Sequence, residues 1–284
     1  MMSTRSSVLL TVVTVTLATG PIRAAEALIL PQTLEREGQH HLAALEYRRL
    51  ALGETDAPHA GRWYWLAAHA YAAGNDWPLA GRMLDQAEDL APLELAVPLS
   101  WLRAEQALAE RDWASAEFYF ESLGHAADAA AWREVAHRGR AAARLYRGDI
   151  AGAGLGLEGE PLEAVENYAA GRNRKPWVGG LLGLVPGLGY GYSGETGNAL
   201  RSLFLNSLFI WGLVETAEDD QWAVFSVLAF AEFTWYSGSI YGGIDAAHRY
   251  NQRRLDQAVK RIRGESRPRP SPVLVPVLTL RFDF

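Results

Sequence analysis

Residues able to do chemistry are few in this chain, and they stand apart. Cysteine is absent from its 284 residues, which removes thiol nucleophiles, thiolate metal sites and disulfides together. The seven histidines are scattered except for His40 and His41, and no HExxH pair or GxSxG elbow sets ligands or a nucleophile at working spacing. Gly189, Gly191 and Gly194 satisfy GxGxxG. No strand-like run precedes them and no acid follows at the distance that would hold a ribose, so the string does not announce a nucleotide. Catalytic residues, a metal site and a cofactor are therefore not expected. One side chain is out of place: Glu232 lies in the middle of an apolar run. A carboxylate there is costly unless it is protonated, paired or turned toward a cavity. Arg201, Asn206, Ser237, Tyr236 and Tyr241 are its candidate partners. Glu232, Arg201 and Asn206 then form a polar set inside apolar segments, with simple closure of a hydrogen-bond network as the alternative.

The elements that must hold this set are three apolar stretches, Trp177–Tyr192, Ala199–Val214 and Trp222–Ile244, which follow the basic run from Arg172 to Lys175. The last is long enough to span a bilayer; the first two, at 16 residues each, suit short spans or a re-entrant hairpin. Gly179, Gly183, Gly187 and Gly191 recur every fourth residue. On a helix they would line one face and let a neighbour pack closely, with Pro186 kinking the helix. Pro186-Gly187-Leu188-Gly189, Tyr192-Ser193-Gly194 and Gly197-Asn198-Ala199 resemble the PGxGxxYxG signature of small two-span membrane domains in bacterial proteins. That resemblance covers residues 177 to 250 and implies a membrane-embedded hairpin, with little said about activity.

Upstream, the chain repeats itself. Asn75-Asp76-Trp77-Pro78-Leu79-Ala80 aligns with Arg111-Asp112-Trp113-Ala114-Ser115-Ala116 at an offset of 36, so repetition is the first hypothesis. Tyr64, Ala67, Ala68 and Tyr71, then Trp77, Ala80, Leu84, Ala87 and Pro92, resemble the framework of a tetratricopeptide repeat. Small residues let two antiparallel helices approach, aromatics fill the wedge, and Pro92 ends the second helix. The next unit keeps Ala104, Ala107, Trp113, Ala116, Phe120 and Leu123. Degraded outer units read Gly38, Ala43, Tyr47 and Leu50, and Ala141, Gly148, Ile150 and Ala153. A generic Ala-rich bundle is the alternative. The resemblance implies a concave groove for a protein partner, showing Arg62, Trp65, His69, Trp101 and Glu105. Exposed aromatics dominate recognition, but Trp65 and Trp101 could equally be packing between helices.

Charge and termini add direction. Residues 28 to 170 carry 12 arginines against 22 carboxylates, which argues against nucleic acid. Residues 245 to 284 are basic and could meet anionic lipid. Arg5, the uncharged run Val8–Ala18 and small residues at Ala24, Ala25 and Ala27 have a secretory signal layout. Leu278, Leu280, Phe282 and Phe284 alternate with polar residues, as in a strand that could add to a partner's sheet edge. The acidic loop Glu215–Gln221 against the basic His248–Arg263 places the tail in the cytoplasm, and three spans close that arrangement.

The expected architecture is all-α: a signal peptide over 1–25, a tetratricopeptide-like solenoid over 28–170, and a Gly-rich membrane hairpin or three-segment bundle over 176–250. A basic, Pro-rich tail with a short β-like end covers 251–284. The expected role is a non-enzymatic adaptor of the bacterial envelope, exported and membrane-associated. It would bind a protein partner through the groove and lipid through the apolar region, with a periplasmic repeat domain and the inner membrane preferred to the outer. The alternative is a component of membrane transport or envelope assembly that works through the Gly-rich helices and Glu232.

Overall fold

A computed structural model describes residues 20–91, 93, 95–126 and 130–264. All regular structure among them is helical. The chain divides into two compact units, residues 1–106 and 107–284, although composition changes near Arg172. The expected signal segment, apart from residues 20–25, lies outside the described residues, as does the strand-like run from Leu278 to Phe284.

The first unit stacks α1 (Gly20–Arg36), α2 (His40–Gly53), α3 (Ala57–Ala73) and α4 (Trp77–Leu90) in consecutive contact, followed by most of α5 (Ala96–Ala109). Its core is built from the small and aromatic positions expected from the repeat. Ala43, Tyr47, Tyr64, Ala67, Ala68, Tyr71, Ala80, Leu84 and Ala87 are all buried. Small residues dominate because the helices run close together: a Cβ on Gly61 would stand 2.7 Å from that of Ala91.

Four connections share one geometry. At Gly38, Asn75, Arg111 and Gly148 the backbone takes a positive φ, and the residue that follows begins the next helix as its cap. In each, the N–H of that following residue reaches back five positions: Gln39 to Leu34 O, Asp76 to Tyr71 O, Asp112 to Ala107 O and Asp149 to Arg144 O. This is the hydrogen-bond pattern of a left-handed helix C-terminus. Asp76, Asp112 and Asp149 then cap the next helix, accepting from the N–H of Leu79, Ser115 and Gly152 and satisfying donors a helix start leaves open. The same turn recurs at Gly194 and Asp220, so the turn itself is generic. What marks the repeat is the regular interval between the first four.

In the second unit, α6 (Trp113–Ala126) packs on α7 (Ala130–Tyr146), which leads through α8 (Ile150–Ala153) to α9 (Glu160–Ala170). Next come α10 (Pro176–Leu182), α11 (Leu188–Tyr192), α12 (Thr196–Glu218) and the 42-residue α13 (Trp222–Arg263). The last helix serves two cores. Its C-terminal half buries Ala258, Val259 and Ile262 against Ala142, Leu145, Ala164 and Val165 of α7 and α9. Its N-terminal half packs on α10, α11 and α12. Residues 251–263, expected as part of a Pro-rich tail, are thus continuous helix.

Three expectations about the apolar region change. No helix among the described residues is long and apolar enough to cross a membrane. The run Trp177–Tyr192 is two short helices instead of one. Arg201 and Asn206 dilute α12, and Glu232 with several Ser, Thr and Tyr residues dilutes the N-terminal half of α13. Nor do the four glycines form one stripe, because the helix ends at Leu182 and Gly187 takes a left-handed conformation, φ 89°. Gly179 and Gly183 lie against Gly243 and Ile240 of α13, Gly187 against the backbone of Ala199, and Gly191 faces open space. Gly189, outside the four-residue spacing, takes the close position instead, against Gly179 and Gly243.

Candidate functional site

Two places deserve description as sites, one in each unit. In the first, α3 and α5 bring Trp65, His69 and Trp101 together. The His69 ring lies 5.7 Å from that of Trp65, nearly parallel to it, and 5.9 Å from that of Trp101. The i, i+4 spacing of Trp65 and His69 places them one above the other on α3. Both indoles are buried, Trp65 at 7% and Trp101 at 5% exposure, as in packing between helices. Trp65 Nε1 has no hydrogen-bond partner. Glu105, one turn beyond Trp101, is also buried, while Arg62 and His69 are half-buried. The five residues expected in a groove are therefore a packed aromatic floor with polar edges.

Glu35 completes that neighbourhood from α1. It lies 4.0 Å from His69 Nδ1 and accepts a hydrogen bond from Tyr47 Oη at 3.3 Å. Burial, followed by the charge and hydrogen bond of Glu35, pushes the Tyr47 phenol well above its ordinary range. Sequence reading missed Glu35 because its spacing to His69 carries no local signal; only the stacking of α1 on α2 and α2 on α3 brings it there.

The second place is the interior between α12 and α13. The only residues α12 buries are Ser202 and Asn206. Facing them, α13 buries Glu232 and Ser239. Ser202 Oγ and Ser239 Oγ are 3.1 Å apart, and Asn206 Nδ2 donates to Ser202 O at 2.6 Å. Asn206 Oδ1 and Glu232 Oε2 are buried and accept no hydrogen bond. Around this polar seam the large side chains turn outward: Leu200, Leu203, Phe204, Leu208, Ile210, Trp211 and Val214 on α12 are exposed, as are Val227, Phe230 and Phe233 on α13, with Phe204 at 67% and Phe230 at 75%. The pair is polar inside and apolar outside.

Of the partners expected for Glu232, only Asn206 shares its seam. Arg201 is exposed. The Tyr236 hydroxyl donates to Leu184 O at 2.7 Å, Ser237 donates to Phe233 O, and Tyr241 is exposed.

The base of the hairpin is held by charge. Glu195, just before α12, accepts from Arg249 Nε at 2.9 Å and Nη2 at 2.8 Å, and from Arg253 at 3.3 Å. The Arg249 hydrogen bond, with help from Asn198 and the two guanidinium charges, holds the Glu195 carboxyl at about 2. The Arg174 guanidinium lies 4.9 Å from the ring centre of Tyr192 and 5.1 Å from that of Tyr250. Asn251 clasps the backbone of Arg174 through both its amide atoms. Basic residues thus collect at one end of the apolar helices, and Glu215, Glu218, Asp219 and Asp220 at the other. No family model, no curated protein and no solved structure matches this chain.

Proposed function

We propose that this chain is a non-enzymatic adaptor of the cell envelope, seated in lipid through its 177–244 region and holding a protein partner on its helical repeats. The observation that carries the reading is the inverted pair of α12 and residues 222–242 of α13, in which the buried residues are serine, asparagine and glutamate while leucine, phenylalanine and tryptophan face out. In water, contiguous apolar surface of that extent is unfavourable and marks an interaction face. In hydrocarbon the same arrangement is the stable one, since lipid solvates the apolar side and polar side chains hydrogen-bond across the helices. Trp177, Trp211, Trp222 and Trp235 are all exposed in this region, and tryptophan suits a membrane interface. The glycine contacts supply the close backbone packing that such a bundle needs.

Continuity of α13 joins the apolar pair to the α7 and α9 core within the second unit. Tyr146 Oη donates to Asp256 at 3.2 Å, and Arg254 donates to Tyr168 O at 2.7 Å. A partner would read the edges of the aromatic floor, Arg62 and His69, with Trp65, Trp101 and Glu105 fixing its shape. The leader-like start, export and a periplasmic repeat domain belong to the same proposal.

Reporter fusions after Ala170, Gln221 and Phe284, scored for export, combined with membrane fractionation, test the seating. The expected result is a membrane fraction released by detergent and an exported reporter at 170. A chain recovered wholly in the soluble fraction would refute it. For the partner, a photo-crosslinker at position 62 is expected to capture one defined protein; the same adduct after deletion of residues 61–123, with the crosslinker moved elsewhere, would count against the groove.

A further inference from the structure

We propose that the seam between α12 and α13, at Asn206 and Glu232, is a binding site for one positive charge, filled by a proton or by a small monovalent metal cation in its place. It does not depend on the adaptor reading.

The Ser202–Ser239 contact fixes the register of the two helices. They are joined by a short turn at Asp219–Gln221 and run antiparallel. Asn206 lies one turn from that contact and Glu232 two turns, toward the same end. At the rise of an α-helix these are offsets of about 6 Å and about 10 Å, so the two side chains face each other about 5 Å apart along the axis. Asn206 is 1% exposed and Glu232 9%.

Each presents an oxygen that nothing satisfies. Asn206 turns its Nδ2 toward Ser202, donating to its carbonyl oxygen at 2.6 Å and to its Oγ at 3.4 Å, and its Oδ1 and Glu232 Oε2 are left without donors. An amide oxygen and a carboxylate oxygen only accept, so neither can satisfy the other, and leaving both buried is costly. One positive charge between them resolves both. A proton on Glu232 supplies a hydrogen-bond donor for Asn206 Oδ1. A metal cation instead takes the same two oxygens, hard donors of the kind that hard cations prefer, and completes its shell with water. The single carboxylate balances one charge, which selects monovalent over divalent ions. Entry of one such cation releases one proton from Glu232 to solvent, so the net charge of the seam is unchanged.

No other group competes for the role. Among the described residues, the charged and titratable groups nearest the seam on the packed elements are Arg201 and Tyr241, both exposed; Tyr236, bonded to Leu184 O; Tyr192, accepting from Lys175 N–H; and Tyr190, packed on Gly242. Glu215 and Glu218 on α12 and Asp245, His248 and Arg249 on α13 are exposed toward the two ends of the pair.

The test is thermal unfolding of the purified full chain in detergent micelles, from pH 6 to 9, in choline chloride and then in sodium or lithium chloride at equal ionic strength. Wild type in choline is expected to lose melting temperature as pH rises, with sodium or lithium restoring about 2–4 °C. Glu232→Gln is expected to show neither response, and Asn206→Leu to lose the cation response. A pH response without a cation response supports the proton form alone. Infrared spectra give an independent readout: a protonated carboxylic acid carbonyl band at pH 6 in wild type, absent in Glu232→Gln. Identical pH and cation profiles in wild type and Glu232→Gln, with no such band difference, would overturn the proposal.

Discussion

Gly179 and Gly243 meet backbone to backbone. A Cβ on Gly179 would strike the Gly243 carbonyl oxygen, and a Cβ on Gly243 would strike that of Gly179. The contact fixes α10 on α13 at the level where α11 also arrives, through Gly189. Backbone atoms cannot swing aside as a side-chain tip can, so relief requires the helices to separate.

Gly179→Ala and Gly243→Ala are therefore expected to destabilise the second unit by about 1–3 kcal/mol, in the range of overpacking, despite alanine's better helix propensity. Gly191→Ala, where nothing lies within 4 Å, is expected to be neutral or slightly stabilising. Chemical unfolding followed by circular dichroism distinguishes these, and equal effects at 179 and 191 would contradict the packing described.

The Glu195 ion cluster has a defined pH window. Its carboxyl titrates at about 2 in the folded chain against an ordinary 4.5, so the unfolded state binds the proton more tightly. The contribution is fully present above about 4.5 and is lost as pH falls toward about 2. Its side chain is buried but Arg249 and Arg253 are about half exposed, so solvent screening limits the contribution to about 1–2 kcal/mol. Glu195→Gln is expected to lower stability by that amount at pH 7, with the difference shrinking between pH 4.5 and pH 2. A constant gap across that range would show that the cluster is not the cause.

Arg111 holds a φ of 61°, where a side chain is strained by about 1 kcal/mol and glycine is not. Arg111→Gly is expected to raise stability by up to that amount, whereas Asp112→Ala, removing the cap on Ser115 N–H, is expected to cost about 1 kcal/mol. Differential calorimetry reads both. Stabilisation by the second and not the first would contradict the turn geometry.

The aromatic floor gives a different contrast. Trp101→Ala is expected to cost about 3–5 kcal/mol, as for a large side chain removed from a core, while Arg62→Ala changes stability little. Denaturant unfolding of both variants checks this, and a small cost at Trp101 would restore it as a surface anchor.

These contrasts trace what was readable in the chain. Repeat interval and framework came through because Ala67, Ala68, Ala80 and Leu84 answer to local helix spacing, and the buried positions coincide with that spacing. The glycine stripe did not. A four-residue period says nothing of a helix end, and Gly187 breaks the helix that the period assumes. Glu232 stood out as a carboxylate among apolar residues. Its seam with Asn206 depends on the register of two helices, which Ser202 and Ser239 set and no periodicity reveals. Trp65 and Trp101 were ambiguous for a similar reason: helical spacing places both on one face but cannot say whether another helix covers it.

The central claim is that the 177–244 region belongs in lipid, and vesicle flotation of the full chain tests it most directly. Protein mixed with phospholipid vesicles during detergent removal is expected to rise with them in a density gradient and to remain with them in high salt. Recovery at the bottom of the gradient as a dispersed, detergent-free monomer would contradict the account.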